Sequence, residues 1–150
     1  RGVDYRPLRA REALGEASMT FGVEPMDRLG LDIRVTSQAR TLVDVLDRPE
    51  WAGGWEEVWR SLEGLRVVDL QEVQDYLNRL DNATTAALVG FFLEQHQEVL
   101  GVNETELAGL EAMRPKGRHY LSRTEGGRLA KRWNLIVPEP LWRRTWEELG

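Results

Sequence analysis

Across residues 31–35 apolar and charged residues alternate one for one, with Leu31, Ile33 and Val35 set against Asp32 and Arg34. That is the period of a strand with one buried face. A shorter alternation covers residues 19–23, and Pro25, Asp27 and Gly30 punctuate a loop between the two runs. They are expected to pair as antiparallel neighbours. At Thr36 and Ser37 the period changes. Either residue can cap a helix through about Asp47, with Leu42, Val43, Val45 and Leu46 on a broad apolar side and Pro49 beyond its end. Residues 49–54 read as a turn, after which Trp55, Val58, Trp59 and Leu62 recur at helical spacing.

Asp69 caps the next helix, whose stripe is Leu70, Val73, Leu77 and Leu80. Asn82 opens another, expected to run to about Leu100; residues 86–93 are apolar almost all round, as in a helix at the centre of a core. Asn103 and Glu106 have the spacing of a capping box ahead of Leu107, Leu110 and Met113, and Pro115 to Gly117 ends that helix. Residues 119–121 and 133–137 read as strands joined across residues 125–127, and residues 143–149 as a short final helix.

Two strands, a run of helices, then two strands predict an α+β fold, not an alternating parallel sheet. The expected architecture is a helix-rich core with short antiparallel strands contributed from both ends of the chain, meeting in one small mixed sheet. The 150 residues accommodate one domain with an appendage. Residues 1–16 are expected to be a connector and residues 17–150 the domain itself.

Composition narrows the chemistry. The chain has no cysteine, which excludes disulfides, thiolate metal sites and cysteine nucleophiles. No apolar stretch reaches the length of a membrane span and no secretory signal is visible, so no membrane partner is expected and a cytoplasmic location is. The net charge of −5 argues against a free-standing nucleic-acid binder. The cations are nonetheless concentrated, first at Arg1, Arg6, Arg9 and Arg11, and again from Arg114 to Arg132.

Neither Gly53-Gly54 nor Gly126-Gly127 carries the surroundings of a phosphate loop, and both read as turn glycines. His96 and His119 stand in no metal-ligand spacing. The strand segments around His119 and Asn134 lack the carboxylates that a metal-dependent nuclease needs. No enzyme, no cofactor and no metal is therefore expected. Trp55 and Trp59 share a helix with Glu56 and Glu57, where packing is a better account than stacking on bases.

Arg40 and Asp44 are four apart on one helix face. On a solvated surface such a pair contributes only about 0.3–0.5 kcal/mol, and the cation lies toward the helix N-terminus, the less favourable order. With Leu42, Val43 and Leu46 around it, Arg40 calls for a tertiary carboxylate. Glu94, inside the apolar run 90–93, is the candidate, since a carboxylate there needs a partner. Arg40, Asp44 and Glu94 are thus expected to be structural ion-pair residues.

The succession Val35-Thr36-Ser37-Gln38-Ala39-Arg40-Thr41-Leu42-Val43-Asp44, then Leu46-Asp47-Arg48-Pro49 and Gly53-Gly54, then Leu88-Val89-Gly90-Phe91-Phe92-Leu93-Glu94, then Arg132-Trp133-Asn134-Leu135-Ile136-Val137 resembles the C-terminal region of AbiEi-family antitoxins of type IV toxin–antitoxin systems. The likeness spans roughly residues 31–137. It implies a bacterial two-part transcriptional regulator. An N-terminal winged helix binds operator DNA, and the C-terminal part opposes a nucleotidyltransferase toxin without requiring a stable complex. No winged helix is legible ahead of residue 17 and the chain begins on Arg1, so that module is expected upstream. Arg6, Arg9 and Arg11 are then candidate phosphate contacts. Homodimerisation is a further expectation. The alternative is the oligomerisation or sensing body of a transcription factor that has no toxin.

Overall fold

Four of the helices open on a side-chain cap, and these caps set where the chain turns. The computed structural model describes residues 21–143. It begins with strands β1 (Val23–Arg28) and β2 (Leu31–Thr36). Helices α1 (Gln38–Asp47), α2 (Trp55–Leu62), α3 (Leu70–Leu80), α4 (Ala83–Gln95), α5 (Gln97–Leu100) and α6 (Glu104–Glu111) follow, with a 3-10 turn at Pro49–Ala52 between the first two. Strands β3 (His119–Tyr120), β4 (Arg128–Ala130) and β5 (Leu135–Val137) and helix α7 (Glu139–Arg143) complete it.

Ser37 Oγ accepts the Arg40 amide at 3.2 Å at the start of α1, and Asp69 takes the Glu72 amide at 3.1 Å at the start of α3. Asn82 takes the Thr85 amide at 3.1 Å at the start of α4. At α6 the capping box is complete, Asn103 accepting from the Glu106 amide at 2.8 Å and Glu106 from the Asn103 amide at 2.9 Å. Each bond satisfies a donor that the helix itself leaves unpaired.

The helix expected to continue to Leu100 is broken at His96. The imidazole Nδ1 lies 2.8 Å from the Phe92 carbonyl oxygen, while the His96 amide bonds back to Phe92 and Leu93. His96 thus closes α4, and α5 begins immediately beyond it.

The strands depart furthest from expectation. Among the described residues the early and late strands do not share a sheet: β1 and β2 form their own hairpin, and β3, β5 and β4, in that order, form a separate mixed sheet. The first strand starts at Val23, with Pro25 inside it opposite Arg34, and the turn is Leu29-Gly30. Proline is tolerated there because no strand lies outside β1 among the described residues. Of the expected run 19–23, Met19 and Thr20 lie outside the described residues.

In the second sheet β3 runs parallel to β5, and the antiparallel partner is β4, which the sequence pattern did not reveal. Trp133 and Asn134 belong to the turn before β5, where Asn134 adopts a φ of 56°. The connection from β4 to β5 is local, whereas the β3 pairing is made across the intervening loop. The final helix lies at Glu139–Arg143; most of the expected 143–149 helix falls outside the described residues.

Helix α4 is the centre of the core, and every residue from Thr85 to Leu93 is buried. Against it pack Leu42, Val43 and Leu46 of α1, Leu107 and Leu110 of α6, and Trp133, Leu135 and Val137. Trp59 is fully buried, edge-on to Phe92 at 5.2 Å. Its indole N–H donates to Gln95 Oε1 at 2.8 Å, and Gln95 in turn donates to the Leu141 carbonyl at 2.9 Å, which ties α7 to the core.

Candidate functional site

Arg40 and Asp44 meet as helical spacing requires, Arg40 Nε donating to Asp44 Oδ2 at 3.2 Å. The rest of the arrangement comes from elsewhere in the chain. Arg40 Nη1 donates to the Phe21 carbonyl at 2.8 Å, and the guanidinium lies 4.9 Å from the centre of the Tyr76 ring. The Tyr76 hydroxyl donates to Asp44 Oδ1 at 2.6 Å. Burial, reinforced by that bond and the adjacent Asp44 charge, pushes the Tyr76 pKa well above the ordinary tyrosine value. Beside it Ser37 Oγ donates to Glu72 Oε1 at 2.5 Å. This cluster ties α1 to α3 through Arg40, Asp44, Tyr76, Ser37 and Glu72.

Glu94 does not reach Arg40. Its carboxylate accepts from Arg132 Nη1 at 3.2 Å and from the Trp133 indole at 3.0 Å. The same guanidinium pairs with Glu104 at 2.6 Å and Glu111 at 2.8 Å, so one arginine joins α4 to both ends of α6. The apolar run around Glu94 correctly demanded a cation, but α4 directs its carboxylate toward the turn before β5. Arg132 and Tyr76, the organisers of the two clusters, were missed because their roles depend on contacts across the fold. Arg6, Arg9 and Arg11 lie outside the described residues.

His96 is buried, with Nε2 3.1 Å from Glu63. Among the described residues no group of three or more His, Cys, Asp or Glu side chains could hold a metal ion. No described helix is long and apolar enough to cross a membrane.

The surface around β3 differs from the rest. Between Arg114 and Arg132 seven Lys or Arg residues face one carboxylate, Glu125. Elsewhere the arginines are mostly engaged, as Arg60 is with Glu56 and Arg143 with Glu139. Here Arg114, Arg128 and Arg132 have carboxylate partners, whereas Lys116, Arg118, Arg123 and Lys131 are exposed and pair with no described residue. His119 and Tyr120 of β3 are exposed between them, Tyr120 to 54 %.

Behind Tyr120 lies a cavity of about 300 Å³, bounded by the end of α1, the start of α4 and the strand. Trp55 and Tyr120 supply aromatic walls, and Asp47, Glu50, Asn82 and Thr84 supply polar ones. Asp47 is held in place by Thr85 Oγ1, which donates at 2.8 Å, and by Asn82 Nδ2 at 3.5 Å.

No family model, curated protein or solved structure matches the chain.

Proposed function

We propose that this chain is the non-enzymatic body of an AbiEi-like antitoxin and transcriptional regulator, acting in opposition to a nucleotidyltransferase toxin. In this reading operator DNA is bound by a winged helix outside the chain. The observation that supports it is the meeting of the separated segments on which the resemblance rests. Gly90 and Glu94 of one segment contact Trp133 and Arg132 of another, and the α4 helix that carries the first packs against the α1 helix that carries Arg40 and Asp44. Segments that resemble a family in order and spacing are thus also the ones that hold this fold together. The surface that opposes the toxin is then to be sought outside these buried residues.

Co-expression of the chain with a nucleotidyltransferase toxin encoded beside it is the test. Relief of growth arrest is expected, and arrest that persists while the chain accumulates in soluble form would sink the reading.

A further inference from the structure

We propose that the β3 edge and the cavity behind Tyr120 bind single-stranded nucleic acid, with one base held in the cavity and the flanking phosphates on Lys116, Arg118 and Arg123.

The division of charge carries the inference. The cations that pair with no described residue lie on the exposed segment outside the cavity, and no Lys, Arg or His is among the described residues that line it. The lining instead contains the carboxylates of Asp47 and Glu50. Asp47, its side chain only 3 % exposed, is engaged by Thr85, Asn82 and, at 3.7 Å, Arg48, so the exposed Glu50 is the carboxylate open to a ligand. A phosphate is attracted to the strand and repelled from the cavity. A neutral heterocycle carrying an exocyclic amine suits the cavity, because carboxylates accept from N–H groups and aromatic walls cover ring faces. A nucleotide joins those two chemistries in one molecule.

Strand geometry brings them within reach of each other. Arg118 and Tyr120 are two apart, so they fall on the same side of the extended chain, about 6–7 Å apart along it. Across the sheet His119 and Ala130 both register with Leu135, which puts Arg118, just before β3, and Lys131, just after β4, at the same end. Lys116 is anchored nearby, since Asn134 Nδ2 donates to the Pro115 carbonyl at 2.7 Å. A backbone passing along this end meets cations on both edges of the sheet.

Duplex nucleic acid suits the site less well. Its bases are stacked and paired, whereas Tyr120 and the cavity need a base already out of the stack. At about 300 Å³ the cavity is at the small end of the range for ligand pockets, enough for a single base.

Fluorescence anisotropy of labelled oligo(rA), oligo(rU), oligo(dA) and a duplex of the same length, titrated with the chain at low salt, tests the proposal. Single strands are expected to bind more tightly than the duplex, and oligo(rA) more tightly than oligo(rU), which lacks the amine. Comparison of oligo(rA) with oligo(dA) reads whether the natural source is RNA or DNA. Tyr120→Ala should weaken single-strand binding about tenfold. Arg118→Ala should reduce the slope of log K against log salt by roughly 0.7, the loss of one phosphate contact. Arg66→Glu, an exposed cation on the α2–α3 connection, should change neither. Circular dichroism verifies that each variant is folded.

No binding up to about 10⁻⁴ M protein, the weak end of non-specific association, overturns the proposal. So does duplex binding as tight as single-strand binding with Tyr120→Ala silent. Because no toxin is present, failure here and failure of the antitoxin reading are separate results.

Discussion

The six-membered ring of Trp133 occupies the space that a side chain at Gly90 would need. In an exposed helix interior, glycine to alanine gains about 0.5–1 kcal/mol because the unfolded chain loses freedom. At Gly90 a Cβ would overlap three ring atoms of a fully buried indole, and overpacking a core costs about 1–3 kcal/mol. Overpacking wins. Gly90→Ala is expected to lower the unfolding free energy by up to about 2.5 kcal/mol, the difference of these two effects. Urea denaturation measures it, with a lower midpoint at unchanged slope. An unchanged or higher midpoint would show that the indole can move aside.

Asp44 accepts from both Arg40 and Tyr76, so deletion of the phenol hydroxyl leaves a part-buried carboxylate short of a donor. Tyr76→Phe should cost about 1–2 kcal/mol at neutral pH. The pH dependence has a defined sign. The folded-state pKa of Tyr76 is raised above its ordinary value of 10.0. Above about pH 10 the unfolded chain releases this proton while the folded chain keeps it, so stability falls as pH rises. This contribution is fully present below pH 10. The stability gap between wild type and Tyr76→Phe should therefore narrow above about pH 10, as followed by urea melts in alkaline buffers. A constant gap would mean that the hydroxyl titrates alike in both states.

Arg132 holds Glu94, Glu104 and Glu111 at once, which makes the contribution of any one pair depend on the others. Arg132→Met should destabilise by about 1–3 kcal/mol, because three carboxylates lose their common cation while the apolar stem is kept. Glu94→Gln keeps an acceptor for the Trp133 indole and should cost less. The double variant should fall short of the sum by about 0.5 kcal/mol or more. Strict additivity in the thermodynamic cycle would show that Glu94 and Arg132 act independently.

Local chemistry made the helices legible. Ser37, Asp69, Asn82 and the Asn103 and Glu106 pair each announce a helix start through a bond that spans only three residues. The all-apolar run of α4 likewise announced the core. Features that depend on distant partners were hidden. Parallel pairing of β3 with β5 leaves no turn signature, and three-residue β4 is too short to show a period. Pro25 read as a loop because its tolerance depends on an edge position that only the fold reveals. Glu94 was recognised as needing a cation, yet its partner Arg132 lies 38 residues away, and no spacing rule connects them. Lys116, Arg118, Arg123 and Lys131 were visible as composition, but that they pair with no described carboxylate appears only in three dimensions.

The hairpin turn offers a prediction of opposite sign. Leu29 has a φ of 55° and is 98 % exposed, so it adopts a left-handed conformation with no packing to offset the strain. Gly30, with a φ of 81°, completes a turn in which both central residues are left-handed. Asparagine followed by glycine is the preferred pair for that geometry, and an L-residue of ordinary shape is strained there by roughly 1 kcal/mol. Leu29→Asn should therefore stabilise the β1–β2 ribbon by about 0.5–1 kcal/mol. A two-stranded ribbon is marginal on its own, and it can open without the helical core. Amide hydrogen exchange within β1 and β2 is for that reason the appropriate measurement. Protection in the ribbon should rise about two- to fivefold in Leu29→Asn, the exchange equivalent of that free energy. Gly30→Ala should lower it, because the added Cβ meets the same left-handed penalty in open space. Exchange no slower in Leu29→Asn than in the parent would mean that the left-handed turn does not limit opening of the ribbon.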